Sequence, residues 1–266
     1  MRISVIIPTY KPKEYLWECL NSLVNQTLSK NEFEVIIVLN GCYNPWYLEI
    51  EKYINDFMSD MNVNFLQTNE TGVSNARNIA LQEARGEFIT FIDDDDYISP
   101  EFLSELLRYS SSSIITIAKP IAFKDTTKEQ ISYPMTGVFM KNFLKGPQKF
   151  TQARKFFSGP CMKLIPSHII GNRRFDERFK NGEDSLFMFL ISDKITWVNY
   201  TSESAIYNRR FRDGSAVTTH RTFANKLINS IRLISEYSKI YWGAPCTYNF
   251  SFYITRILGA VRSILN

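Results

Sequence analysis

The chain has 266 residues, 44% of them hydrophobic and 22% charged, as is typical of a globular protein with one large domain or two small ones. The net charge is only +4, and the segment from Thr222 onward accounts for all of it. No run reaches the roughly 18 apolar residues of a membrane span, and the early Pro8 is not typical of a signal peptide.

Apolar runs and helical patterns alternate along the first 120 residues. Pro12 suits a first helical turn, and the apolar residues from Tyr15 to Leu23 follow at helical spacing. Gly86 suits the C′ position of the third helix. This alternation predicts βαβ units and a mostly parallel sheet covered by helices on both faces. The predicted strands are 3–7, 35–39, 63–66, 88–92 and 114–117, and the later helices are 46–58 and 73–85.

The remaining sequence divides into an irregular part and a helical part. Residues 119–220 are rich in Pro, Gly and aromatic residues, which is typical of mixed strands and long loops. Residues 221–266 predict a C-terminal extension of two helices with apolar stripes. We therefore expect a catalytic domain over 1–220, with halves 1–118 and 119–220. The predicted stripes contain Phe223, Leu227, Ile231 and Ile234, then Phe250, Ile254, Ile257, Leu258 and Val261.

Three polar segments follow predicted strands and would meet at one edge of the sheet. They are Pro8-Thr9-Tyr10, Asn40-Gly41-Cys42 and the run Asp93-Asp94-Asp95-Asp96. Ligands of parallel α/β sheets bind beyond the carboxyl ends of the strands. Adjacent carboxylates repel by roughly 1 to 4 kcal/mol per close pair, a cost that a hard divalent cation would remove. The run therefore predicts a metal site, with a solvated acidic turn as the alternative.

Other phosphate and metal motifs are excluded by their spacing. An EF-hand loop needs Gly at its sixth position, and counting from Asp93, Asp94 or Asp95 gives Ile98, Ser99 or Pro100 instead. Neither GxGxxG nor GxxxxGK[ST] occurs. The four cysteines are scattered without metal-ligand spacing, as in proteins of a reducing compartment.

Five motifs in series resemble the family 2 glycosyltransferases, which have the GT-A fold. The opening strand runs into Pro8-Thr9-Tyr10, and Thr71-Gly72-Val73-Ser74-Asn75-Ala76-Arg77-Asn78 is similar to the family's G-x-S-x-A-R-N helix start. The acidic run resembles its D-x-D motif. Asn181-Gly182-Glu183-Asp184 resembles its catalytic pair, and Tyr207 to Ser215 its basic loop. The resemblance spans roughly residues 2–216.

The resemblance implies a role for each of these residues. Asp95 would be the main ligand of Mn²⁺ or Mg²⁺, with Asp93 sharing the metal or holding the ribose, and His220 as a possible third ligand. Asp184 would be the general base, with Glu183 beside it; the alternative is an ordinary helix cap. Arg77 would contact phosphate or base unless it is a surface arginine. The remaining nucleotide contacts would come from Pro8, Thr9, Tyr10, Asn40, Asp94, Arg209, Arg210 and Ser215.

One position departs from the family pattern. The family's second strand often ends in two acids, the first of which reads the uracil ring, but here the residues are Leu39 and Asn40. An amide still hydrogen-bonds a pyrimidine edge, whereas leucine does not. We therefore expect a UDP-sugar donor, and the sequence does not specify the sugar.

The resemblance implies an inverting, metal-dependent transferase that moves a sugar to a glycan acceptor. We expect a lipid-linked oligosaccharide acceptor in surface polysaccharide assembly, a cytoplasmic location and no nucleic-acid partner. The basic C-terminal helices would either dock on an anionic membrane or pack against the catalytic domain. The alternatives are a non-catalytic sugar-nucleotide-binding or scaffold subunit, and a sugar-phosphate nucleotidyltransferase. The second needs a Gly-rich loop where this chain has Pro8-Thr9-Tyr10-Lys11-Pro12.

Overall fold

The computed structural model describes residues 1–212 and 222–265. Its strands are β1 (Ile3–Thr9), β2 (Phe33–Asn40), β3 (Asn62–Thr68), β4 (Phe88–Phe91), β5 (Tyr97–Ile98), β6 (Ile114–Ile117), β7 (Lys119–Lys124), β8 (Gln130–Ile131), β9 (Gln148–Lys149), β10 (Lys163–Pro166), β11 (Trp197–Tyr200) and β12 (Ile206–Phe211). Its α-helices are α1 (Tyr15–Val24), α2 (Trp46–Phe57), α3 (Val73–Glu83), α4 (Phe102–Arg108), α5 (Pro134–Met140), α6 (Ser167–Ile170), α7 (Glu183–Leu190), α8 (Phe223–Gly243) and α9 (Phe250–Leu265).

The larger sheet forms the centre of the molecule. Its strand order is β3-β2-β1-β4-β10-β6-β11-β9. The first four strands in this order are parallel, and β10 is antiparallel to both of its neighbours. Every residue of β1, β2 and β4 is buried, as expected for strands covered on both faces. The predicted α/β fold with a mostly parallel sheet is confirmed.

The register of the central strands brings the predicted crevice segments together. Thr9 lies opposite Leu39, and Ile6 lies opposite Phe91. The polar ends of β1, β2 and β4 therefore lie side by side at one edge of the sheet. This is the edge at which α/β folds bind their ligands.

A smaller sheet carries the basic loop to the same edge. Its strand order is β5-β12-β7-β8. β5 begins directly after the aspartate run, and it pairs with β12 so that Tyr97 lies opposite Asn208. The arginines that follow Asn208 are consequently placed beside the aspartates, although more than 100 residues separate them in the chain.

The two C-terminal helices pack against the rest of the fold, which confirms a helical extension. Leu233 and Tyr237 of α8 and Phe252 of α9 are buried in the common core. The Phe189 ring of α7 contacts those of Tyr237 and Phe252, with centroids 5.4 and 5.6 Å apart. The boundary at 220/221 stays a prediction, because residues 213–221 are outside the described part. No helix in the described ranges has the length and apolarity to cross a bilayer.

The predicted apolar stripes of these helices face mainly outward. The core-facing positions of α8 are instead Ser230, Leu233, Tyr237 and Tyr241. The outer face of the pair thus presents apolar side chains in the described residues, namely Phe223, Leu227, Ile231, Phe250, Ile254, Leu258 and Val261.

The prediction for Gly86 is wrong. Helix α3 ends at Glu83, and Ala84 already has an extended conformation. A Cβ atom at Gly86 would lie 2.5 Å from the backbone nitrogen of Ser4 and 2.8 Å from the carbonyl oxygen of Phe88. The glycine is therefore needed for the close approach of this segment to β1, and not to end the helix.

Candidate active site

One cavity of about 1100 Å³ lies along the carboxyl edge of the sheet and continues beneath the C-terminal helices. It gathers most of the residues that the sequence singled out. Ser215 and His220 fall outside the described residues. The predicted residues that line the cavity are Pro8, Thr9, Tyr10, Asn40, Arg77, Asp93, Asp94, Asp95, Glu183, Asp184, Arg209 and Arg210.

We divide the lining of the cavity into two arms by the elements that carry it, with Arg77 and the start of α7 as their junction. We call the part beside β4 and β12 the acid arm; its charged residues are Asp93, Asp94, Asp95, Asp96, Arg209, Arg210 and Arg212. We call the part beneath α8 and α9 the helix arm; it is lined by Ser158, Lys180, Asn181, Asn229, Leu233, Tyr237, Thr255, Arg256, Gly259, Ala260 and Ser263.

Arg77 contacts a carboxylate of the aspartate run and one of the Glu183-Asp184 pair. It lies in the early part of α3, and only 3% of its side chain is exposed. One guanidinium nitrogen donates to Asp184 at 2.6 Å and another donates to Asp93 at 2.9 Å. Burial opposes the charge of Arg77, but the carboxylates of Asp184 and Asp93 outweigh this effect and raise its pKa. The surface-arginine alternative is therefore wrong, and Arg77 fixes the spacing of the two acids.

Two of the four aspartates accept hydrogen bonds from other residues of the fold. Asp94 accepts a 2.6 Å hydrogen bond from the Thr9 hydroxyl, and Asp96 accepts one of 2.7 Å from the backbone N–H of Arg210. Burial raises the pKa of Asp94 to about 7 and raises that of Asp96 well above its usual value. Asp96 thus ties the aspartate loop to β12, which gives this run a structural role as well as a chemical one.

Asp93 and Asp95 are the carboxylates that fit a divalent cation. Arg77 contacts one oxygen of Asp93, and Arg212 donates to one oxygen of Asp95 at 2.6 Å. In the described residues, the second oxygen of each has no hydrogen-bond donor. Burial and the charge of Asp93 raise the pKa of Asp95, with Arg212 opposing. A cation there would relieve this repulsion.

The protein's own ligand set is small. Within residues 1–212 and 222–265, no three His, Cys, Asp or Glu side chains are grouped to hold a metal ion. Two carboxylates alone match the way Mg²⁺ is usually held, through one or two protein oxygens together with substrate phosphates and water. The solvated-turn alternative is less suitable, because Asp96 is buried and Asp94 and Asp95 are only partly exposed.

Glu183 and Asp184 begin α7, as the sequence predicted. Gly182 precedes them with a φ of 84°, and neither side chain caps the helix end. Burial and the adjacent Asp184 raise the pKa of Glu183 to about 7. Burial also raises the pKa of Asp184, while Arg77 opposes. A carboxylate with a raised pKa and an exposed edge can accept a proton from a substrate hydroxyl.

The arginines of β12 differ in how much of their charge is already neutralised. Arg210 is 1% exposed and forms ion pairs with Glu18 and Asp125, so its role in the described structure is to hold β12 in place. Arg209 donates to the Tyr133 hydroxyl at 2.9 Å and has no carboxylate partner among the described residues. Of the two predicted nucleotide contacts, Arg209 is better suited to meet an anion.

Asn40 braces the crevice. Its amide nitrogen donates to the carbonyl oxygen of Thr9 at 2.7 Å, and its amide oxygen accepts from the N–H of Gly72 at 2.9 Å. The side chain is buried. Both ends of the amide are therefore used to tie the end of β1 to the segment before α3, and contact with a nucleotide base stays a prediction.

Sequence reasoning missed two cations near the junction, the buried Lys163 and the partly buried Arg256. Lys163 of β10 donates to the carbonyl oxygens of Gly159 and Cys161 at 2.7 and 2.8 Å, and burial lowers its pKa to about 8. Arg256 of α9 donates to the carbonyl oxygen of Phe157 at 3.3 Å. Neither has a motif around it, and only the packing of distant elements places them here.

Comparison with known sequences assigns the family. The profile of glycosyl transferase family 2 matches residues 4–174. The poly(ribitol-phosphate) beta-N-acetylglucosaminyltransferase TarS of Staphylococcus aureus is 28% identical over 242 residues, which cover 88% of this chain and 40% of TarS. The minor teichoic acid biosynthesis protein GgaB of Bacillus subtilis is 27% identical over 239 residues, covering 88% of this chain and 26% of GgaB. The chain thus spans less than half the length of these relatives.

Solved structures agree with the fold. The crystal structure of S. aureus TarS 1-349 with UDP-GlcNAc superposes with a TM-score of 0.69 at 21% identity, covering 99% of this chain and 82% of that one. A mannosyltransferase from Pyrobaculum calidifontis, solved with GDP-Man and Mn²⁺, gives 0.66 at 14% identity, covering 99% and 69%. A GT-A architecture, the matching profile and a cavity that collects the predicted motifs lead to one conclusion: the chain belongs to glycosyl transferase family 2.

Proposed function

We propose that this chain transfers a sugar from a UDP-sugar to a hydroxyl group of a surface glycopolymer, with inversion at the anomeric carbon. The observation that carries the proposal is the bridge through Arg77, which holds Asp93 and Asp184 at 2.9 and 2.6 Å from one guanidinium. In the proposed mechanism Asp93 belongs to the leaving-group side and Asp184 to the attacking side, and the Arg77 side chain contacts both. An inverting displacement needs this opposition of base and leaving group.

The attacking side depends on Asp184. Its carboxylate accepts the proton of the acceptor hydroxyl as that oxygen attacks the anomeric carbon. Burial, which raises the pKa of Asp184, makes the carboxylate a stronger base than an exposed aspartate. Glu183, with its pKa of about 7, is partly protonated near neutral pH and does not add a full second charge beside it.

The leaving side depends on positive charge around the diphosphate. Mn²⁺ or Mg²⁺ held by Asp95 and Asp93 would supply a Lewis acid for the charge that develops on the departing UDP. Arg209 has no carboxylate partner in the described structure and faces the same arm, so its guanidinium suits the phosphate oxygens. Pro8, Thr9 and Tyr10 line the adjoining wall of the cavity, where a nucleoside would lie.

The acceptor and location are proposed from the relatives and the surface. TarS and GgaB are named for poly(ribitol-phosphate) and teichoic acid, and we propose a surface glycopolymer for this chain as well. The growing polymer would be lipid-linked and the protein cytoplasmic. The exposed apolar side chains of α8 and α9, with basic residues on the same helices, would contact the inner membrane face.

Nucleotide binding tests the donor site. We expect UDP, but not GDP, CMP or dTDP, to raise the melting temperature with Mn²⁺ present, and EDTA to remove the effect. Asp95→Asn should weaken UDP binding in Mn²⁺ by roughly 10- to 100-fold, as calorimetry would show. Asp60→Asn is the matched control, because Asp60 is ion-paired to Lys30 outside the cavity. Equal UDP affinity for Asp95→Asn and wild type, with and without metal, would contradict the metal assignment.

A further inference from the structure

The charged residues that line the helix arm are all basic, whereas those of the acid arm are both acidic and basic. Every carboxylate that lines the cavity belongs to the aspartate run or to the Glu183-Asp184 pair. The charged residues lining the helix arm are Lys180 and Arg256, and both are basic. In the described structure neither has an ion-pair partner within 4.0 Å. This wall therefore has an uncompensated positive charge.

Arg256 is the distinctive member of this wall. It has one hydrogen bond, to the carbonyl oxygen of Phe157, and its guanidinium packs on the Phe252 ring at 4.7 Å. Its Nε is buried without a hydrogen-bond partner in the described residues. The side chain is partly buried, and a buried donor atom without an acceptor is costly unless a ligand supplies one. The arrangement is suited to an anionic ligand with several oxygens.

Tyr237 links the helix arm to the start of α7. Ser185 follows the proposed base Asp184, and its hydroxyl is 2.5 Å from that of Tyr237. Burial raises the pKa of Tyr237, and the positive charge of Arg256 opposes this effect. Asp184, Tyr237 and Arg256 all line the same cavity, so a ligand extended along it could contact each of them.

The wall beside Arg256 is open enough for a chain to pass. Thr255, Gly259 and Ser263 occupy successive turns of α9 and line the cavity. A Cβ atom added at Gly259 would have no heavy atom within 4 Å. Small side chains at this spacing leave room along the helix, which suits an extended polymer better than a compact molecule.

We propose that the helix arm binds a phosphate group of the acceptor, with Arg256 as its main contact and Lys180 as a second positive charge. The acceptor class is then a polyol phosphate polymer, whose phosphodiester lies in the helix arm while a hydroxyl is presented to Asp184. This inference rests on the proposed function, since it names the substrate of the same reaction.

The test compares acceptors that differ in phosphate. UDP release from a UDP-sugar is measured without acceptor, with ribitol, with a ribitol phosphate oligomer and with a glycerol phosphate oligomer. We expect either phosphate oligomer to accelerate release and ribitol to have little effect. Arg256→Gln should raise the KM for the oligomers at least about tenfold, because it removes a charge-assisted contact. Arg256→Lys should restore part of the loss, and added salt should reduce the difference between wild type and Arg256→Gln.

The matched control is Arg262→Gln, which removes the same charge from the same helix at an exposed position outside the cavity. It should behave as wild type. If Arg256→Gln fails to fold, Ser263→Asp serves instead, since it adds a negative charge to the arm and leaves Arg256 intact; it should also raise the KM for the oligomers.

Four results would overturn the inference. They are acceleration by ribitol equal to that by the oligomers, an equal KM for Arg256→Gln and Arg262→Gln, an unchanged KM for folded Ser263→Asp, and acceptor-free UDP release that neither oligomer accelerates. The last would leave the proposed donor chemistry standing. Absence of UDP release under every condition would instead contradict the proposed function and the inference together.

Discussion

The acid arm and the helix arm of the cavity differ in the sign of their charges and in how far those charges are neutralised. In the acid arm, Asp93 and Asp95 each contact an arginine, Arg77 and Arg212, through one carboxylate oxygen. In the helix arm, Arg256 has no carboxylate partner among the described residues. The acid arm therefore offers carboxylates whose charge is only partly neutralised and that suit a cation, whereas the helix arm offers a positive charge that suits an anion.

The largest expected effect is at the junction of the arms. Asp184→Asn should lower the rate of sugar transfer by about 10²- to 10⁴-fold, because the variant has no base for the acceptor proton. UDP with Mn²⁺ should still raise its melting temperature, since Asp184 is not one of the predicted donor contacts. Transfer and UDP binding are measured on the same preparation.

The control for this variant is again Asp60→Asn, whose transfer rate should match wild type. A transfer rate in Asp184→Asn close to that of wild type would mean that the junction does not hold the base. The division of the cavity into leaving and attacking sides would then be wrong.

The next effect concerns the support of the helix arm. Phe252→Ala should lower the free energy of unfolding by about 3 to 5 kcal/mol, because the ring is fully buried and contacts Phe150 and Phe189. Leu258→Ala, on the same helix at 60% exposure, should cost less than about 0.5 kcal/mol. Urea unfolding measures both. Equal costs would show that α9 is not part of the common core and that the helix arm lacks a fixed wall.

The smallest effect is a dependence of stability on pH. Burial raises the pKa of Glu183 in the folded protein to about 7, above the ordinary value of 4.5. Between these values the folded protein binds more protons than the unfolded chain, so stability falls as pH rises through this window. Glu183→Gln removes this loss and should be more stable than wild type by about 3 kcal/mol at pH 8, with little difference at pH 4.

Thermal and urea unfolding at pH 4, 6 and 8 measure this difference. Some pH dependence should remain in Glu183→Gln, because burial also raises the pKa of Asp94 to about 7. Parallel curves for wild type and variant would show that the pKa of Glu183 is not raised in the folded protein, and the junction of the arms would then contain one more negative charge.

Strand ends were predictable from the sequence because they depend on local periodicity. Pro8, Asn40 and Asp93 each follow an apolar run, and parallel topology then forces them to one edge. Gly86 was not predictable in this way, since its role depends on contact with Ser4, 82 residues away in the chain. The outward orientation of the apolar stripe of α8 was not predictable either. Helical periodicity identifies an apolar face, but it does not show which neighbouring element covers that face.

The same distinction between local pattern and long-range packing applies to the residues of the candidate site. The motifs identified the acids and Arg77, but the sequence could not distinguish Arg209, which lacks a carboxylate partner, from Arg210, which has two. Nor could it find Arg256, because that side chain reaches the cavity only through the packing of α9 near Phe157 and α7. Such long-range neighbours have no signature in a single sequence.

The guanidinium of Arg77 has one further consequence. Because it is shared between Asp93 and Asp184, a cation that competes for Asp93 leaves more of its charge to Asp184. The affinity of Asp184 for a proton therefore depends on the state of Asp93, and linkage makes that dependence equal in both directions. If Asp184 is the base, as proposed, cation binding at Asp93 and protonation of that base are coupled through the Arg77 side chain.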